Sequence, residues 1–251
     1  MNDFHVRQIA DDFWKRAGRN EDFPRSLEAP IAWSLPLGIF KLPSLTTDKV
    51  NEWTKALGLL PVVTGTRRRL HACLIAHRGK GCILMDGTDP EDERRFSLAH
   101  EASHFMFDYL IPRERVISRL GNRVIQVLDG FMPPTNAERV DAILCKTPLS
   151  VHFHLMHRNS NGSYPCARIG EAEFIADRLA MELLAPECEV KRRVEEEEIK
   201  FDSHISPDDI MGVLKSVFGL PHDPASVYAL FLKGKWTKAP SLREWLGLSG
   251  M

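Results

Sequence analysis

The sequence predicts an α+β fold, a small sheet or hairpin packed on one helix that carries His100-Glu101-Ala102-Ser103-His104, with helical additions at both ends. Three observations predict it. Short apolar runs at 70–75 and 82–85 flank Arg78-Gly79-Lys80-Gly81, the pattern of two strands joined by a tight turn. A helix-start signal, Asp89-Pro90-Glu91-Asp92, follows at once: a cap, a proline suited to the first turn, and acidic residues where the helix dipole favours them. Apolar residues at helical spacing then recur towards both ends of the chain.

Residues 4–17 place Phe4, Ile9, Phe13 and Trp14 among charged partners, which predicts an amphipathic helix. A proline-spaced stretch through Pro24, Pro30, Pro36 and Pro43 comes next. Thr46 or Thr47 can cap a second helix that repeats apolar positions at Trp53 and Leu57 and ends near Gly58. Residues 1–65 therefore read as an N-terminal helical region. The core spans 66–190: the hairpin, a helix from about 90 to 110 stopped by Pro112, and a helix over 171–184 ended by Pro186. Inside it, 113–168 reads as a partly irregular insertion, with Pro133-Pro134 and the polar loop Asn159-Ser160-Asn161-Gly162. Residues 191–251 hold an acidic run, 195–198, that reads as a solvated face, and a helical pair around Gly219-Leu220-Pro221.

Composition bounds the function. At 251 residues and 43% apolar, the chain can bury one sizeable core. The 33 basic and 34 acidic residues nearly cancel, so no global field draws it to nucleic acid or an anionic membrane, and any such contact is local. The N-terminus lacks a basic segment followed by an apolar run, and no stretch approaches the roughly 18 apolar residues of a membrane span. A soluble, cytoplasmic protein is the expectation. Five cysteines (73, 82, 145, 166, 188) without a CxxC pair argue against a disulfide framework or a cysteine-rich zinc ribbon.

Residues four apart on a helix share a face, so His100 and His104 can present two imidazoles to one Zn2+ while Glu101 points beside them. The periodicity agrees, with Ala99, Ala102, Met106 and Tyr109 on an apolar stripe and Ser97, His100, His104 and Asp108 on a polar one. Catalytic zinc usually has three protein ligands, and Glu173-Phe174-Ile175-Ala176-Asp177 offers the third. Glu173 can bind the metal while Asp177, one turn on, holds the outer nitrogen of a ligand histidine. Zinc lowers the pKa of water to about 7, so Glu101 can act as general base. Two other readings stay open: Glu173 and Asp177 as a solvent-facing acidic pair, and a structural zinc.

The run Arg95-Phe96-Ser97-Leu98-Ala99-His100-Glu101-Ala102-Ser103-His104, with Glu173-x-x-Ala176-Asp177 and Glu182-Leu183-Leu184-Ala185-Pro186, resembles the ImmA/IrrE family of metallo-endopeptidases. The likeness covers roughly 65–190, and 206–232 more loosely. It implies a zincin-like metallopeptidase core, His100, His104 and Glu173 as zinc ligands, Glu101 as the general base and Asp177 in support. Two departures stand out. His104 and Glu173 lie 173 − 104 = 69 residues apart, longer than in compact members, and no DNA-reading domain precedes the core. The arrangement is similar to stand-alone members, the CapP type among them. The resemblance implies cleavage of a partner helix-turn-helix repressor, derepression of a stress or phage-defence operon, and single-stranded DNA as a trigger.

Further candidates complete the expectations. A substrate could pair by β-addition with an exposed edge along 73–76. The alternating imidazoles of His152, His154 and His157 offer an oxyanion donor, with His154 the choice. Cys145 and Cys166 are candidate inhibitory thiols, since a thiolate can take the water position on zinc. Arg67-Arg68-Arg69 is a candidate nucleic-acid patch, as are Lys191-Arg192-Arg193 and the group Lys233, Lys235, Trp236 and Lys238. The competing function is a zinc-stabilised sensor that binds nucleic acid or a partner with little turnover, and Glu101→Gln separates it from an enzyme.

Overall fold

The computed structural model describes residues 3–18, 22–60, 66–145, 147, 151–157, 167–201 and 205–237, and among these the fold is mixed α+β, mostly helical, around one four-stranded sheet. They fall into two compact units, Met1–Leu184 and Ala185–Met251.

In the first unit, α1 (Asp3–Ala17) buries Val6, Ile9, Ala10, Phe13, Trp14 and Ala17, the stripe its helical spacing requires. A short α2 (Glu28–Ser34) leads into β1 (Leu37–Leu42), and α3 (Thr47–Ala56) follows with Gly58 beyond its end at φ +73°. The hairpin forms as the sequence predicts, with β2 (Leu70–His77) and β3 (Lys80–Asp86) antiparallel. Its turn residues Arg78 and Gly79 have φ of +50° and +74°, the mirror-image turn that matches strand twist.

The sheet order is β1-β3-β2-β4, with β1 parallel to β3 and β4 (His152–His157) antiparallel to β2. Two expectations are corrected here. The segment read as irregular insertion supplies a strand, because 152–157 alternates side chains across two environments. That strand pairs along β2, so 73–76 is not an exposed edge; β2 is hydrogen-bonded on both sides.

The helix α4 (Glu91–His104) packs on β2, β3 and β4. Gly81 makes the approach possible: a Cβ there would lie 2.7 Å from Leu37 Cδ1 and 2.8 Å from Phe105 Cε2. The expected stop at Pro112 is a third correction. A π-helical segment, Phe105–Leu110, runs directly into α5 (Ile111–Leu120). The shift of hydrogen-bond register just before the proline carries the chain past a residue that has no N–H to give. Tyr109 in this segment accepts a 2.8 Å hydrogen bond from Gly79 N, tying it to the hairpin turn.

After α6 (Ile125–Leu128) and α7 (Asn136–Leu144), α8 (Ala167–Leu184) returns alongside α4. The opposite face of the sheet holds a separate cluster of Leu45, Val50, Leu70, Cys73, Ile75 and Leu84, against which Val151, Phe153 and Leu155 pack. The two-residue period then turns His152, His154 and Met156 towards α4.

The second unit contains α9 (Glu187–Phe201), α10 (Pro207–Ser216) and α11 (His222–Trp236). A capping box between Ser206 and Asp209 starts α10, and Gly219 at φ +62° turns the chain into the last helix. Glu187 bonds both Lys235 (2.6 Å) and Trp236 Nε1 (3.3 Å). Among the described residues no helix is long and apolar enough to cross a membrane.

Candidate metal centre

Four side chains from three elements of the first unit converge: His100 and His104 from α4, His154 from β4 and Glu173 from α8. One ligand atom of each lies within 4.8 Å of all the others. The helical period sets the first two, since i and i+4 stack on one face; their Nε2 atoms stand 3.2 Å apart. Glu173 Oε2 lies 3.3 Å from His100 Nε2 and 3.6 Å from His104 Nε2. His154 Nε2 meets Glu173 Oε1 at 2.8 Å, and its ring stacks on that of His104 with centroids 3.7 Å apart.

The outer ring nitrogens show a repeated arrangement. His100 Nδ1 bonds Asp177 Oδ1 at 2.9 Å, and His104 Nδ1 bonds Asp108 Oδ2 at 2.6 Å. His154 Nδ1 bonds Glu101, at 3.1 Å to Oε1 and 3.0 Å to Oε2. An ionised carboxylate only accepts, so each Nδ1 donates and the remaining nitrogen of each ring is aimed inward.

This donor set fits a metal ion. Zinc at its usual 2.0–2.1 Å from nitrogen or oxygen sets tetrahedral ligands about 3.3 Å from one another. The His100, His104 and Glu173 separations of 3.2, 3.3 and 3.6 Å have that size. Each ligand histidine also has the carboxylate support typical of such sites.

Electrostatics in the metal-free protein follow from the same contacts. Burial pulls the His100 pKa down, but hydrogen bonds to Asp177 and Glu173 outweigh it and lift the group to about 9. Burial likewise lowers His154, and the charge and hydrogen bond of Glu101, joined by Glu173, raise it to about 10. Burial raises the carboxyl of Glu101, which is fully enclosed, yet the field of His154 and its hydrogen bond bring it below the usual range. Burial also opposes ionisation of Glu173, which bonds to His100, His104 and His154 hold far below that range. His100 and His154 are therefore imidazolium groups among carboxylates, and a metal would replace their inner protons.

The predicted residues are distributed as follows. His100, His104, Glu101, Glu173 and Asp177 are brought together, and His154, expected as an oxyanion donor, stands in the ligand group. The sequence places Asp108 only on the polar stripe, and its position four residues after His104 is the signal of the contact with Nδ1. Cys145 is not in the group: Arg119 Nη1 donates to its Sγ at 3.7 Å, and it packs near Val116 and Leu128. Cys166 lies outside the described residues, as does Lys238. In the basic run, Arg67 lies 3.7 Å from Asp48 and Arg69 3.7 Å from Asp86, while Arg68 N donates to Thr47 Oγ1 at 3.1 Å. On α9, Arg192 pairs with Glu189 and Glu196 and Lys191 with Glu195, so these cations have acidic neighbours of their own. No family model, curated protein or solved structure matches the chain at a significant level.

Proposed function

We propose that the chain is a zinc-dependent endopeptidase with a zincin-like core, in which His100, His104 and Glu173 hold the metal and Glu101 serves as general base. The observation that carries this reading is the triangle of His100 Nε2, His104 Nε2 and Glu173 Oε2, 3.2 to 3.6 Å on a side, with the Glu101 carboxylate on the same helix facing the group. A site of imidazole nitrogens and one carboxylate, without thiolates, suits zinc among common divalent ions.

When bound, zinc supplies Lewis acidity, polarising a carbonyl and lowering the pKa of water to about 7. The protein's part is positional and protolytic. Asp177 and Asp108 fix the tautomer and ring plane of His100 and His104. Glu101 takes the proton of the attacking water and returns it to the amide nitrogen as the peptide bond breaks. Its depressed pKa keeps it ionised at neutral pH, with a carboxylate free of its own proton.

The substrate we propose is one specific partner, a helix-turn-helix repressor whose cleavage derepresses a stress or phage-defence operon, with single-stranded DNA as a trigger. The motifs around His100, Glu173 and Pro186 support that part of the reading. The test is to look for a helix-turn-helix protein among the genomic neighbours of this chain and to ask whether zinc-loaded wild type and Glu101→Gln cleave it. Cleavage by wild type alone is the expected result, and an uncut repressor in both, with and without single-stranded DNA, removes the substrate assignment.

One observation favours a second reading. His154 completes a shell of four protein donors, the closed arrangement of structural zinc sites, and a sensor stabilised by such a site would need no hydrolysis. Under that reading Glu101→Gln leaves function unchanged.

A further inference from the structure

We propose that the site as folded is a latent form, in which His154 fills the fourth coordination position and at the same time engages the general base. The inference rests on the metallopeptidase reading and concerns how that same centre is regulated. Catalytic zinc keeps one position open for water or substrate. Here that position has a built-in occupant. His154 reaches the group from β4, its Nε2 turned inward beside Glu173 and its ring stacked on His104.

The second half of the device is on the other side of the same ring. Asp177 and Asp108 each hold the outer nitrogen of one ligand histidine, and Glu101 holds that of His154 in the same way, with both oxygens near 3 Å. Glu101 is fully buried, so a carboxylate committed to this contact is unavailable to a water molecule. One imidazole thus closes the metal and occupies the base, and withdrawal of that imidazole frees both together.

The location of β4 adds to the argument. It lies antiparallel on β2, with Leu74 opposite His154, the place an extended peptide would take if it added to β2 itself. The strand is anchored by Val151, Phe153 and Leu155 on the sheet's far face, so the pairing that holds His154 in place is continuous with the core. A partner that competes for this pairing would open the centre.

The test uses the full chain loaded with Co2+, whose visible bands report coordination number, and acetohydroxamic acid as a small probe for an open position. Wild type is expected to show a four-coordinate spectrum that the probe leaves unchanged. His154→Ala, which keeps three ligands, is expected to bind Co2+ more weakly and to respond to the probe with an affinity at least about tenfold above wild type, because no tethered ligand competes. A wild-type spectrum that the probe perturbs overturns the proposal while leaving the metal centre intact. Failure of wild type to take up Co2+ overturns the metal reading and this inference with it. The wild-type measurement decides the matter even if the variant does not fold.

Discussion

His154 Nδ1 lies 3.0 Å from Oε2 of Glu101, a contact that joins the edge strand to the helix bearing the two other histidines. Its consequence is that the carboxylate cast as general base and the fourth metal donor are one hydrogen-bonded unit. Replacing Glu101 therefore tests two roles. Glu101→Gln is expected to retain about one zinc per chain, because the ligand triangle is untouched, while hydrolysis of a susceptible partner falls by about 10²- to 10⁴-fold. Elemental analysis beside a cleavage assay checks this; a variant as active as wild type would transfer the function to the sensor reading.

Removal of a ligand has a different signature. His104→Ala takes away one corner of the triangle and the anchor for Asp108, and leaves His100, Glu173 and His154, so the purified variant is expected to fall well below one zinc per chain in elemental analysis. Zinc retained at the wild-type level would place the metal elsewhere.

The supporting carboxylates should matter almost as much. Asp177→Asn and Asp108→Asn preserve shape but remove the charge that orients His100 and His104, and each is expected to weaken zinc binding by about 10- to 100-fold. A competition titration with a chromophoric chelator measures it. Unchanged affinity in both variants would mean that the rings are held by packing alone.

Much of this centre was legible in the sequence because helical geometry is local. The four-residue spacing of His100 and His104, and of Glu173 and Asp177, fixes which groups share a face before any tertiary contact is known. The hairpin was legible for the same reason, since Gly79 stands where a tight turn needs positive φ. What stayed hidden depends on long-range pairing. That 152–157 would form a strand, and would lie on β2 with Leu74 opposite His154, is a matter of register across about 80 residues of chain, and alternating histidines alone do not say which face they take. The passage through Pro112 was hidden too, because the π-helical turn that accommodates it has no composition of its own.

Packing of α4 on the sheet gives a prediction independent of chemistry. A methyl group at position 81 would fall 2.7 Å from Leu37 Cδ1 and 2.8 Å from Phe105, inside a well-filled layer. Gly81→Ala is expected to lower stability by about 1–3 kcal/mol, read from chemical denaturation, through a shift of Phe105 at the base of the ligand helix. A variant as stable as wild type would show that the ring can move without cost.

The last prediction concerns pH in the chelated protein. His100 and His154 have folded pKa values of about 9 and about 10 against an ordinary value of 6.5, so between these limits the folded state keeps protons that the unfolded chain has released. Their contribution is complete below 6.5 and is lost as pH rises through 9 to 10. Glu101 and Glu173 are displaced the other way, so their contribution is present above 4.5 and is lost as pH falls below it. His152, whose pKa burial lowers from 6.5, also disfavours folding as acid is added and draws the optimum towards the upper end of that interval. Metal-free protein is therefore expected to unfold at its highest temperature between 4.5 and 6.5 and to weaken steadily on the alkaline side. Zinc should invert the alkaline limb, because the metal replaces the protons that the histidines would otherwise need to hold, and its binding tightens as they leave. Thermal unfolding from about pH 3 to about pH 10, with zinc and with chelator, measures both limbs. Parallel curves under the two conditions would mean that His100 and His154 exchange no protons with the metal.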